Sequence, residues 1–153
     1  MNVWLTLHVV GVALFLGNIV TAAFWKAQAD LGKRPEAVHA AVRNVMLADY
    51  AFTLPGIVLI AVSGIAMARN AGIPMFGGNW LTASLLVFGA TGAVWIGVLL
   101  PLQRAMIRHS AASIAGGELS EAYRRASRLW AIFGVACTFL PLVVLYFMIA
   151  KPF

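Results

Sequence analysis

One histidine, His8, lies inside an apolar segment, Val3 to Trp25, that contains no Asp, Glu, Lys or Arg. An imidazole in low-dielectric surroundings is neutral, which leaves one ring nitrogen free to ligate a metal. Haem iron accepts a lone His or a His paired with Met, and Met67 and Met148 are expected at a similar depth. Gly11, one helical turn from His8, is expected to leave room for a flat ring. These residues indicate one b-type haem with His8 as its metal ligand.

The same residues allow other interpretations. His8 can instead hydrogen-bond a neighbouring helix in a cofactor-free structural or assembly protein. The methionines are soft ligands that suit Cu(I), so copper handling is a second alternative. If haem is present, Lys151 and Arg69 are candidate partners for its propionates. A two-haem cytochrome is excluded, because His39 and His109 are predicted a whole bilayer away from His8.

A second polar set, predicted at the opposite end of the helices, comprises Asn18, Lys26, Asp49 and Thr53. Lys26 and Asp49 fall at the same ends of consecutive antiparallel helices, which favours a structural ion pair. The alternative is a proton relay through Asp49, Thr53 and Asn18. The free energy needed to place a charged side chain in the membrane is much lower near a helix end than at the bilayer centre. Both arrangements are therefore compatible with a membrane helix.

The composition decides which elements position these groups. Of 153 residues, 62% are hydrophobic and only 10% charged, whereas a soluble domain carries about 25% charged residues. The mean hydropathy is +0.90. The sequence therefore predicts an all-α integral membrane protein, a single domain over 1–153, folded as an antiparallel four-helix bundle. The predicted spans are about 3–25, 46–68, 80–102 and 129–149.

Spacing along the predicted helices sets their inward faces. Steps of four and three residues place His8 and Asn18 on one face of the first helix, which should point into the bundle. A polar turn is predicted over Gln28 to Pro35, and Pro55-Gly56 is expected to loosen the second helix. In the third helix three small residues recur every four positions and suit close packing: Gly89, Ala93 and Gly97.

The formal charge of +6 orients the protein. Nine of the eleven Lys and Arg residues follow the first or third span, and only Arg69 and Lys151 lie on the other side. The positive-inside rule then puts both long loops in the cytoplasm and both termini outside. The basic residues form no single soluble patch, which argues against nucleic-acid binding. The single cysteine, Cys137, excludes an internal disulfide.

Three segments resemble an uncharacterised family of bacterial four-helix integral membrane proteins: LHVVGVALFLGNIVTAAFWK, FTLPGIVLIAVSG and the terminal KPF. That family is distantly similar to HemJ-type protoporphyrinogen oxidases and to CopD copper-resistance membrane proteins. The resemblance to HemJ implies haem b binding by His8 and a role in activity for Lys151. Pro55 and Gly64 match the nine-residue spacing from proline to glycine in the second helix of HemJ proteins. Trp80-Leu81 matches the Trp-Leu pair of their third helix. The sequence departs from HemJ at Phe24, Ala29 and Ser84, where charged or histidine residues are expected, and it lacks the Asn-Glu-x-Pro of the fourth helix.

Residues and resemblance together predict a multi-pass protein of the bacterial inner membrane that binds one haem b near the periplasmic face. If the protein is an enzyme, it is a HemJ-like oxidoreductase. Its partners are then the lipid bilayer and a tetrapyrrole or quinone-like electron donor, with a homo-oligomer as a further candidate assembly.

Overall fold

The structure is a computed structural model and describes residues 2–153. It consists of four long helices, α1 (Asn2–Gly32), α2 (Pro35–Asn70), α3 (Trp80–Ser113) and α4 (Glu121–Ala150), each apolar enough to cross a membrane. The predicted all-α four-helix bundle is confirmed. We call the end that holds the termini and the 71–79 loop the terminal end. The end that holds residues 33–34 and 114–120 is the basic end.

The distribution of polar and apolar side chains is that of a membrane protein. Large apolar side chains cover the outside, among them Leu86, Ile96 and Phe139, each more than 60% exposed. Polar side chains are buried between the helices: Asn18, Lys26, Asp49, Thr53, Ser63, Ser84, Thr91, Gln103, Ser110 and Ser113. Lipid cannot satisfy polar groups, so these side chains hydrogen-bond either across helix interfaces, as Asn18 does, or to a carbonyl of their own helix, as Ser84 does.

Helix α1 continues through the region predicted to be a polar turn. It ends at Gly32, and only Lys33 and Arg34 separate it from α2. Lys33 has a left-handed backbone, with φ at +54°, which turns the chain in a very short distance. The predicted turn is therefore found between Gly32 and Pro35, but its start at Gln28 is wrong, because Asp30 is held in the helix by contacts with Lys26 and with α4.

Helices α2 and α3 each contain one π-helical turn, Asp49–Thr53 and Trp95–Leu99. Pro55 and Pro101 each stand six residues after the first residue of a turn. Proline has no N–H, and its ring clashes with the carbonyl four residues earlier, so the preceding turn widens. The loosening predicted at Pro55 therefore takes the form of a π turn, and a second one, not predicted, lies in α3.

Two glycines set the tightest helix contact, between α1 and α2. A Cβ on Gly11 would come within 2.9 Å of the Gly56 carbonyl oxygen, and a Cβ on Gly56 within 2.9 Å of the Gly11 oxygen. The space expected beside Gly11 is thus filled by α2, and that expectation is wrong. In contrast, Gly89, Ala93 and Gly97 are exposed on the outside of α3, and within residues 2–153 no helix packs closely on them.

Helices α1 and α4 touch over a small area only. The remaining helix pairs pack along α1–α2, α3–α4 and, towards the basic end, α2–α3. This arrangement leaves two cavities inside the bundle, one in the terminal half and one in the basic half.

Candidate functional site

His8 borders a cavity of about 290 Å³ in the terminal half, reached by all four helices. Its Nδ1 lies 3.0 Å from the Ser63 hydroxyl on α2. The Ser63 hydroxyl also contacts the Leu59 carbonyl. When the hydroxyl donates to that carbonyl, the tautomer that completes the pair has Nδ1 as the donor to Ser63. In this tautomer Nε2 carries the lone pair. Gly64 lies against the imidazole, where a Cβ would stand 3.3 Å from Cε1.

The cavity brings together some of the predicted haem-site residues. Met148 lines it with His8, while Gly11, Met67, Arg69 and Lys151 do not. Met75, in the 71–79 loop, also lines the cavity. Met75 was missed because spacing along a helix carries no information about a loop. Ser63 and Gly64 stood in the predicted second span, but their contacts with His8 depend on how α1 and α2 pack.

Lys151 instead caps the terminal end. Its ammonium stands over the Trp80 ring, 5.5 Å from the centroid, and its backbone adopts φ at +44°. This turn brings the C-terminal residue back, so that the Trp80 amide donates to the Phe153 carbonyl at 3.2 Å. Arg69 is exposed at the same end. The predicted roles of Lys151 and Arg69 towards haem propionates stay predictions.

In the basic half, four donors surround the buried carboxylate of Asp49. Asn18 Nδ2 and Thr53 Oγ1 donate to Oδ1 at 3.0 and 2.9 Å. Trp95 Nε1 and Gln103 Nε2 donate to Oδ2 at 3.3 and 2.7 Å. Because every contact is a donor, the site is built for a carboxylate anion. The network joins α1, α2 and α3, and it contains the predicted trio Asp49, Thr53 and Asn18.

Lys26 does not pair with Asp49, so the predicted ion pair is wrong. Lys26 Nζ stands 2.6 Å from Asp30 Oδ2, one turn along the same helix, and also donates to Ser127 on α4. Ser127 and Tyr123 complete the cluster by donating to Asp30 at 3.0 and 2.5 Å. Lys26 pairs with Asp30 because α1 remains helical to Gly32, which puts these two residues on one face of the helix.

Both polar networks line the larger cavity, a crevice of about 1170 Å³ between α1 and α4. Its walls include exposed residues of these helices, Ala27, Ala131 and Val135, so it opens on the outer surface of the bundle. Phe15 and Phe88 line both the crevice and the His8 cavity, and their rings meet edge to face at 6.2 Å. This aromatic pair forms the wall between the two spaces.

Gln103 and Trp95 are site residues that the sequence did not reveal. Gln103 lies just outside the predicted third span, 80–102, and Trp95 has no polar neighbour in the sequence to mark it. The signal in the sequence was Pro101, which marks the π turn that begins at Trp95 and precedes Gln103. No group of three or more His, Cys, Asp or Glu side chains that could hold a metal ion occurs within residues 2–153.

Comparison with known proteins supports the architecture and leaves the chemistry open. No curated protein and no solved structure matches the chain. The resemblance to HemJ and CopD therefore stays a prediction. One family model, described as predicted integral membrane protein (DUF2269), matches residues 2–152. Since that match covers nearly the whole sequence, the chain belongs to the DUF2269 family of predicted integral membrane proteins.

Proposed function

We propose that the protein binds a single b-type haem in its terminal half, with His8 as axial ligand, and serves as a membrane oxidoreductase. The observation that carries the proposal is the His8–Ser63 contact. Metal-ligating histidines usually donate their second ring N–H to a protein oxygen, which fixes the tautomer and orients the ring. Ser63 takes this role at Nδ1, and Nε2 is the nitrogen left for iron.

The surroundings of His8 supply candidate ligands for the second axial position. Met148 and Met75 line the same cavity, and thioether sulfur raises the potential of a haem iron. The cavity, at about 290 Å³, is at the lower limit of ligand pockets, which span roughly 300–1,000 Å³. A porphyrin therefore requires α1 and α4 to separate, and the small contact between these two helices favours such a movement.

Copper binding is the second candidate function. His8, Met75 and Met148 border one cavity, and an imidazole with two thioethers is a soft donor set that suits Cu(I). The cavity needs less opening for an ion than for a porphyrin. A cofactor-free role is supported by the same His8–Ser63 bond, which joins α1 to α2 as Asn18 does further along the bundle.

The proposed location is the bacterial inner membrane, with the terminal end outside the cytoplasm. Nine basic residues lie towards the basic end, where α1 connects to α2 and α3 connects to α4, and two lie at the terminal end. Cytoplasmic loops carry such an excess of Lys and Arg. Reporter fusions to the C-terminus, active only outside the cytoplasm, test this orientation.

The deciding experiment is a visible spectrum with parallel iron and copper analysis of protein purified in mild detergent from haem-replete cells. The haem proposal predicts a Soret band and about one iron per chain. Met148→Leu and Met75→Leu are compared next, and the variant that removes the second ligand is expected to convert the spectrum from six- to five-coordinate. Colourless protein with stoichiometric copper supports the second candidate, and colourless protein without metal supports the cofactor-free role.

A further inference from the structure

The crevice in the basic half contains two buried polar atoms without a hydrogen-bond partner among residues 2–153. They are Gln103 Oε1, an acceptor, and Trp130 Nε1, a donor. Buried polar atoms are nearly always paired, because an unmade hydrogen bond costs the full desolvation of the group. Both residues line the crevice, which leaves a molecule bound there as the natural partner.

The neighbouring network determines which atom Gln103 presents. The Asp49 carboxylate only accepts, so it holds the Gln103 amide nitrogen at 2.7 Å and turns Oε1 away from itself. Gln103 is 1% exposed, so Oε1 has no access to bulk water. The acceptor is therefore fixed in position and requires a donor from within the bundle.

Trp130 lies close to the same level of the crevice. Its ring packs against the Leu99–Leu100 cluster and also against the cluster that contains Met106. Gln103 stands between Leu100 and Met106 in α3. Trp130 therefore packs against the two clusters that flank Gln103 along α3, and both residues line the crevice. A ligand head placed here meets an acceptor from α3 and a donor from α4.

We infer that the crevice binds a lipid-soluble molecule whose head is a hydroxylated aromatic ring, the chemical class of the quinols. One ring hydroxyl donates to Gln103 Oε1, and a ring oxygen accepts from Trp130 Nε1. The aromatic side chains of Trp95 and Tyr123 also line the crevice in its basic half. The apolar tail leaves between α1 and α4, where exposed small and apolar residues open the crevice to lipid.

The charges in the crevice favour a neutral head over an ionic one. Lys26 is paired with Asp30, and Asp49 is enclosed by its four donors. The cations at the mouth, Lys33, Arg124 and Arg128, are exposed and lie towards the basic end, away from Gln103. An anionic amphiphile would sit at that mouth and leave both unpaired atoms unsatisfied.

The test measures binding of decylhydroquinone to the full-length protein in nanodiscs, under anaerobic conditions, by calorimetry. The matched probe is its dimethyl ether, which keeps the ring and tail but cannot donate to Gln103. We expect the ether to bind at least tenfold more weakly. Trp130→Phe, which keeps an aromatic ring but removes Nε1, should weaken hydroquinone binding about fivefold. Trp25→Phe is the matched control, since Trp25 is 67% exposed on the lipid side of α1, and it should bind as wild type.

Several outcomes overturn the inference. Equal affinity for the hydroquinone and its ether does so, as does unchanged binding in Trp130→Phe. Tighter binding of decyl phosphate than of decylhydroquinone would assign the crevice to anionic amphiphiles instead. The inference goes beyond the haem proposal and does not depend on it, because probe binding is measured without any haem signal.

Discussion

Asp49 and Trp95 are the first residues of the two π-helical turns, and a hydrogen bond of 3.3 Å joins them across α2 and α3. Each is followed six residues later by a proline, Pro55 or Pro101. Single π-helical turns inside α-helices occur frequently at functional sites. The paired turns aim a carboxylate and an indole at one point, where Asn18, Thr53 and Gln103 complete the set of donors.

Asp49→Asn should destabilise the protein by about 1–3 kcal/mol, because an amide nitrogen then faces donors that need an acceptor. Thermal unfolding in detergent measures the change. The matched control is Glu121→Gln, an exposed acid at the start of α4, which should shift the midpoint little. Equal stability of Asp49→Asn and wild type would show that the network does not depend on the carboxylate.

Gly11→Ala should cost about 1–3 kcal/mol, because overpacking forces the backbones of α1 and α2 apart. In the same helix, a Cβ on Gly17 meets nothing within 4 Å. Gly17→Ala should therefore be neutral, or stabilise the helix by up to about 1 kcal/mol. Chemical denaturation of the two variants side by side separates steric contact from helix propensity, and similar effects would contradict the glycine contact.

Lys26→Met should be more destabilising than the double variant Lys26→Met/Asp30→Asn. The single change leaves the half-buried Asp30 carboxylate without its cation, whereas the double change removes both charges. Tyr123 and Ser127 can still hydrogen-bond an amide at position 30. The order of the unfolding midpoints is the readout, and a double variant less stable than Lys26→Met would refute the pairing.

Ser63→Ala should weaken haem binding about 10- to 100-fold, the usual effect of losing a group that orients a metal-ligating histidine. Ser84 gives the matched control, since it lines the same cavity but donates to the Trp80 carbonyl of its own helix. Haem titration of the apoprotein compares the two. If Ser84→Ala binds haem as weakly as Ser63→Ala, the tautomer argument fails.

The four helices and the inward face of α1 followed from the sequence because each span is a long apolar run with polar residues at helical spacing. His8 and Asn18 do share that face, and both contact α2. The hydrogen-bond partners of Asp49 could not be predicted from the sequence, since they depend on π turns induced by prolines in two different helices. The Lys26 partner was missed because the end of α1 was assigned to a turn.

The central claim is that His8 holds the haem, and its most direct test is the Soret absorbance per chain in His8→Ala and His39→Ala. His39 makes the same kind of contact as His8, with Nδ1 at 2.9 Å from the Ser110 hydroxyl, but at the basic end. We predict that His8→Ala loses the Soret band, that added imidazole restores part of it, and that His39→Ala keeps it. A Soret band retained in His8→Ala, or absent from the wild-type protein, would contradict the claim.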